Sequence, residues 1–285
     1  MHKMHGTVLI GVKNSNPNGD PDNGNMPRMN WTTGRGLMSP GSIKRKIRDW
    51  LMLSGHDCYI KSGEYLESVV AKYKGKPSDV VRAMCNDFID VRVFGGLVPS
   101  TKDGKGGGDL RGPMQFGWAE SVDPIEAQQV SITRVVQQKA DTKKKKKVDA
   151  DEETDDIGSE LGTIGKAAFV TYGLYRVEWY LDPNLAERNG VTDDDFRLVM
   201  TAILQMFEVS RACNRTGVNV HGLYAWEHES KLGSAPVWDL ERRIQVVKRV
   251  DNPSDFDDYR VTIRDTDLPS GITLHRYHES VVECQ

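Results

Sequence analysis

Cysteine is scarce in this chain and poorly spaced. The four are Cys58, Cys85, Cys213 and Cys284, and no two form a CxxC pair, so neither a zinc site nor a disulfide framework is indicated. A reducing cytoplasm is the expected setting. Long apolar runs are also lacking. None approaches a membrane span, and the first residues lack a signal-peptide pattern, so a soluble protein without a membrane partner is expected. Catalytic signatures are missing as well. The glycine-rich stretch Asp103–Gly112 matches neither GxGxxG nor a Walker A loop, and no HExxH or Ser-His-Asp pattern occurs. No catalytic residue, cofactor or metal is therefore assigned. Excess positive charge is absent too: 38 Lys and Arg against 41 Asp and Glu leave a net charge of −3. Any anion site must come from local clustering of cations.

What is present fills 285 residues, 38% of them hydrophobic and 28% charged, which allows one large domain or a core domain with insertions. The organising stretch is Asn14–Arg35, NSNPNGDPDNGNMPRMNWTTGR, between a short strand at Gly6–Val12 and a cationic helix. Its Asn, Gly, Pro and Asp residues are turn formers, but a plain hairpin needs about two of them. A loop this long in a compact domain is usually functional or disordered. Met26, Met29 and Trp31 are anchors that a disordered linker does not need. The expectation is an ordered loop offering backbone N–H groups and the arginines Arg28 and Arg35 to an anion. An irregular connection without a ligand is the alternative.

Ser39 and Pro40 then supply an N-cap and a first helical residue. Ile43, Ile47, Trp50 and Leu51 recur on one helical face, and Gly55 stops the helix. Lys44, Arg45 and Arg48 fall together on another face, either as ligand contacts or as a solvated surface. His56–Pro113 reads as an insertion with short helices at Glu64–Tyr73 and Ser78–Ile89, Ser78 capping the second, before the β-branched run DVRVFGGL at Asp90–Leu97. Strand character returns at Met114–Ser121, Val130–Gln137 and Lys166–Leu181. Between the last two lies a charged tip, five lysines at Lys143–Lys147 followed by acids, too polar for a core. A turn is expected at Asp182–Asn189, a helix capped by Thr192, and a strand at Val218–Trp226. The tail from Trp238 yields no assignment. Without insertions the order is strand, helix, strands, strand, helix, strand. That is the α+β, ferredoxin-like plan shared with RNA-recognition motifs.

The segments NSNPNGDPDNGNMPR, SPGSIKRKIRDW, DVRVFGG and RGPMQFGWAESVDPI with ITR beyond resemble one family. It is the repeated backbone subunit of the type I CRISPR surveillance complex, Cascade, most like its type I-C branch. The resemblance implies a modified RNA-recognition-motif palm at residues 1–55, 114–137 and 166–285. It further implies a helical fingers insertion at 56–113 and a protruding β-hairpin thumb at 138–165. Copies are then expected to stack head to tail on a CRISPR RNA, kink it at regular intervals and display it for pairing with target DNA, alongside other Cascade subunits.

A guide whose sequence varies must be held by phosphate and sugar. Candidates for that task are Asn18, Gly19, Arg28, Arg35, Ser42, Lys44, Arg45 and Arg48. Phe94, Gly95 and Gly96 are candidates for a close backbone approach, and Gln115 and Arg134 for contacts near the kink, with a cross-strand ion pair as the other reading of Arg134. Tyr172, Tyr175 and Trp179 suit either base stacking or the core. Asp20 and Asp22 leave open a metal-dependent RNA-cleaving subunit, as in type III relatives, although NGDPDNG is also favourable turn chemistry. A monomeric single-stranded RNA-binding module is a third reading.

Overall fold

The structure, a computed structural model, describes residues 1–99, 108–133, 164–279 and 283–284. Arg134, Lys143–Lys147 and nearly all of the expected thumb lie outside the described residues.

Strand β1 (Lys3–Ser15) is longer than the apolar run suggests, and it alternates. Met4, Val8, Ile10 and Val12 face one core, while Leu9 faces another. Two short strands, β2 (Gly19–Asp20) and β3 (Met26–Pro27), pair within the organising loop, and β4 (Arg35–Met38) follows. Helix α1 (Pro40–Leu53) starts as its sequence requires: Ser39 Oγ accepts from Ser42 N at 3.2 Å, with Pro40 in the first turn. It closes with Gly55 in the left-handed region (φ 87°) and His56 N donating to Leu51 O at 3.0 Å.

The insertion holds α2 (Leu66–Val70), α3 (Pro77–Asp87), α4 (Ile89–Phe94), β5 (Gly95–Val98) and β6 (Gly108–Arg111). Ser78 does not cap α3; Pro77 already occupies the first turn and Lys76 is the N-cap. The DVRVF run, β-branched in sequence, is helical. Its Asp90 turns inward and collects donors from α1 and from Tyr59 and Ile60, so tertiary contacts override local strand preference. Tyr59, Val70, Val80, Met84, Phe88 and Val91 give the insertion a core of its own. Arg92 clamps it to the rest by donating to both carboxylate oxygens of Asp195, at 3.0 and 2.7 Å.

Beyond it run β7 (Met114–Phe116), β8 (Ala119–Pro124), β9 (Ala127–Thr133) and the long β10 (Ile164–Leu181). The expected turn after β10 is a helix, α5 (Pro183–Asn189), because Asp182 caps it and Pro183 opens it. Helix α6 (Asp193–Gln205) carries a reciprocal cap between Thr192 and Asp195. The tail forms β11 (Val218–His228), α7 (Val237–Glu241), β12 (Ile244–Lys248), β13 (Tyr259–Ile263), β14 (Ile272–Glu279) and β15 (Glu283–Cys284).

The central sheet is antiparallel, in the order β14-β11-β1-β10-β8-β4, with β7 and β9 also on β10. Helices α1 and α6 share one face over Val8, Ile10, Val177 and Trp179. The opposite face is covered by α7, β12 and β13 over Leu9, Leu174 and Trp226. Arg176 fastens that cover: it pairs with Glu178 and donates to the carbonyls of Glu241 at 2.8 Å and Ile244 at 2.6 Å. Stacking of a base on Tyr172, Tyr175 or Trp179 is therefore blocked. Tyr175 and Trp179 lie in the helix-side core, and Tyr172 packs beside Tyr259 under the cover. At its other end the sheet narrows. The pairing of β1 with β10 stops at Val170, while β9 continues along β10 to Ile164, leaving a two-stranded ribbon beyond the sheet.

Candidate functional site

The organising loop is clipped together by its own backbone. Asn25 N donates to Asp20 O (2.8 Å), Arg28 N to Asn18 O (3.0 Å) and Leu37 N to Arg28 O (2.8 Å). These N–H groups, expected to face an anion, are thus spent within the loop. Gly24 and Asn25 both take left-handed backbone (φ 56° and 63°). Gly19 sits against this turn, where a Cβ would overlap the Asn25 side chain. Asn18 Oδ1 accepts from Ser39 N at 2.8 Å, joining the loop to the start of α1. Asp20 accepts from Asp22 N and pairs with Arg28 at 3.3 Å. Its carboxylate is neutralised by a guanidinium, which fits turn chemistry rather than metal ligation. Among the described residues no cluster of three His, Cys, Asp or Glu side chains is placed to hold a metal.

The three cations read as one face of α1 are divided. Arg48 is turned inward: its side chain is 7% exposed and its Nε donates to Asp90 Oδ2 at 2.6 Å. Asp90 also accepts from Tyr59 N and Ile60 N. Arg48 joins α1 to the insertion and is not placed to meet a ligand. Lys44 is half-buried, donates to Gln115 Oε1 at 2.7 Å and lies over the Phe94 ring. Burial, and then the Arg48 charge, lower its pKa to about 8. Gln115 in turn donates to the carbonyls of Phe94 and Gly112. Phe94 is itself buried, against Phe116. Gly95 (φ 71°) has no room for a Cβ beside Leu110 O and Gly112 N, whereas Gly96 faces open space. Lys44, Gln115, Phe94 and Gly95 thus form a structural joint. Arg45 stays at the surface, paired with Asp49 and bonded to Ser62. Arg35 sits 3.9 Å from Glu120 in a separate groove with Trp118.

An open groove of about 540 Å³ gathers a different set. Its walls include Asn16, Asn18 and Gly19 of the loop, Ser42, Arg45 and Lys46 of α1, and Cys213 and Arg215 of the turn before β11. That turn is tied to the end of β1: Asn16 N donates to Asn214 O at 2.6 Å, and Lys13 N to Gly217 O at 2.8 Å. The tie sets Arg215 near Lys46. Lys46 is only 9% exposed, yet among the described residues it makes no ion pair or hydrogen bond, nor does the Arg215 side chain. Burial first, and then the Arg215 charge, push the Lys46 pKa down, with Asp49 opposing. Two cations held this close at the wall of an open groove favour the approach of an anion. Of the residues named from sequence, Asn18, Gly19, Ser42 and Arg45 reach this groove. Lys46 and Arg215 were missed, although Lys46, three residues after Ile43 and four before Trp50, interrupts the apolar stripe of α1.

Fold and groove together define a mixed α/β protein with a central antiparallel sheet and a cationic cleft at the end of its first strand. The chain belongs to the CRISPR-associated protein Cas7 family, whose sequence model matches residues 2–264. A curated relative, the CRISPR-associated protein Cas7 of Haloferax volcanii, is 28% identical over 153 residues, 44% of this chain and 45% of the relative. The match therefore spans less than half of that relative's length. Among solved structures, a chain of a "CRISPR RNA-guided surveillance complex, pre-nicking" shares the fold with a TM-score of 0.53 and 14% identity, over 82% of this chain and 80% of the other.

Proposed function

We propose that this chain is the repeated backbone subunit of a type I CRISPR RNA-guided surveillance complex, of the I-C branch. It holds the guide by phosphate and sugar rather than by base edges. The observation that carries this reading is the convergence on an open groove, with Ser42 and Arg45, of Lys46 and Arg215, whose side chains have no ion-pair partner among the described residues. Two adjacent cations that repel one another suit a strand of phosphates.

The sheet order β11-β1-β10-β8, with α1 and α6 on one face, supports a ferredoxin-like palm. The separate core at 59–98 supports a fingers unit, and the β9–β10 ribbon is the base from which a thumb extends. Copies stack head to tail along one CRISPR RNA, kink it at intervals and leave its bases to target DNA, alongside other Cascade subunits. Such a contact joins two different faces and propagates as an open helix. The subunit is not an enzyme in this account and works in the cytoplasm, where the free thiols of Cys58, Cys85 and Cys213 are stable.

Expression with a CRISPR array tests the proposal. The chain should purify as a multimer with RNA of uniform length, and glutamates at Lys46 and Arg215 should abolish RNA recovery. A wild-type chain that stays monomeric on long RNA would be a lone binding module.

A further inference from the structure

A second open groove, of about 670 Å³, runs between α3 of the insertion and the end of α5. Val81, Cys85 and Leu110 give it an apolar floor. Arg82 and Arg188 stand exposed on its walls, with Asn86. Arg82 makes no ion pair or side-chain hydrogen bond among the described residues. Arg188 makes only two long hydrogen bonds there, to Asn189 Oδ1 at 3.3 Å and Arg111 O at 3.5 Å. The acid on this rim, Glu187, is taken by Lys231 at 2.9 Å. Asn189 Nδ2 holds the two walls together by donating to the carbonyls of Arg92 and Arg111, at 3.3 and 3.1 Å. An apolar floor under two guanidinium groups suits an apolar side chain flanked by carboxylates. A bare phosphate strand would meet the charges and leave the floor unused.

The chain carries such an element on its own surface. Tyr65, just before α2, is 82% exposed. Glu64 and Glu67 lie on either side of it, both exposed and neither in an ion pair among the described residues. Leu66, Val69 and Val70 pack into the core of the insertion, which leaves Tyr65 outside. The three other most exposed large hydrophobics, Trp31, Leu53 and Leu232, have no acid within two residues. Within one chain knob and groove stay apart, since the tyrosine is bare and the groove is open. We infer that the groove of one copy receives Tyr65 of a second copy, with Arg82 and Arg188 facing Glu64 and Glu67. An aromatic anchor in an apolar pocket, rimmed by opposite charges, has the make-up of an interface centre. Knob and groove are different patches of one chain, so the contact repeats from copy to copy. The inference rests on the backbone-subunit reading above and gives it a surface.

Charge reversal tests it, with light scattering of the full chain on a long single-stranded RNA. Arg82→Glu with Arg188→Glu leaves acids on both knob and groove, and Glu64→Arg with Glu67→Arg leaves cations on both. Each variant alone should fail to assemble, because every contact joins like charges. An equimolar mixture should assemble, because alternating copies restore opposite charges. Tyr65→Ser, a change at an exposed site, should raise the concentration needed for assembly about tenfold. All variants should bind a strand too short for two copies as wild type does. Assembly of each reversed variant alone at the wild-type concentration, or a mixture that stays dispersed, overturns this inference alone. Loss of short-strand binding overturns it too and makes the groove a nucleic-acid contact. Should a reversed variant fail to fold, Tyr65→Ser decides, and unchanged assembly of that variant is the overturning result. A wild-type chain that stays monomeric on long RNA overturns the backbone-subunit reading and this inference with it.

Discussion

Replacing Arg48 by methionine separates a structural arginine from a ligand contact. The side chain is 7% exposed and that of Asp90 is 1% exposed, with 2.6 Å between Nε and Oδ2. Methionine keeps the aliphatic stem and removes the guanidinium. Asp90 then retains only the N–H groups of Tyr59 and Ile60 for a buried carboxylate. Removing one partner of a buried pair costs about 3–5 kcal/mol. At about 2–4 °C per kcal/mol for a protein somewhat smaller than this one, the melting temperature should fall by about 6–20 °C. Arg48→Met with Asp90→Asn should recover part of the loss, because no unpaired charge remains and the neutral amide oxygen still accepts a backbone N–H. Differential scanning calorimetry measures both. At a temperature where Arg48→Met is folded, the salt dependence of its RNA binding should match wild type. Wild-type melting together with a salt slope flattened by about 0.7 would refute the reasoning and make Arg48 a phosphate contact after all.

Two further outcomes are expected. Buried His5 lies 3.1 Å from His228, whose Nδ1 accepts from Ser234 N, and burial followed by the His228 and Lys3 charges lowers the His5 pKa from 6.5 to about 3. Below its unfolded pKa the unfolded chain takes up a proton that the folded chain refuses. Stability should therefore fall by up to about 1.4 kcal/mol per pH unit between about pH 6.5 and 3, and His5→Gln should flatten that part of a urea-midpoint profile. An identical profile would remove His5 from the account. Gly95→Ala forces a Cβ onto the crossing backbone of Leu110 and Gly112 at a left-handed position, so a loss of about 2–4 kcal/mol is expected in urea unfolding, and a loss below about 1 kcal/mol would contradict the crossing.

The elements legible in sequence are those whose signals are local. Ser39-Pro40 and Gly55 bound α1, Thr192 caps α6, and the alternation in β1 and β10 sets the sheet. Long-range partners decided the rest. Asp90 draws three donors from two other segments, and this makes a helix of a β-branched run. Asp182 and Pro183 are turn residues that equally start a helix, so local sequence does not separate a turn from α5. The tail lacked a periodic signal because it pays out its apolar residues in short pieces against a sheet face that already exists. In the site, helical spacing placed Lys44, Arg45 and Arg48 together, but spacing does not reveal that Asp90 and Gln115 wait on either side. The groove also depends on Arg215, almost two hundred residues from the loop in sequence, brought there by the pairing of β11 with β1.

The central claim is that Lys46 and Arg215 bind the phosphates of a single strand. Filter binding over a range of salt concentrations tests it most directly, with wild type compared with Lys46→Gln plus Arg215→Gln on several RNA sequences. Each lost phosphate contact removes about 0.7 from the log–log slope for a single strand, so the double variant should bind all sequences more weakly and flatten the slope by about 1.4. Unchanged affinity and slope would contradict the account and leave the groove a solvated surface.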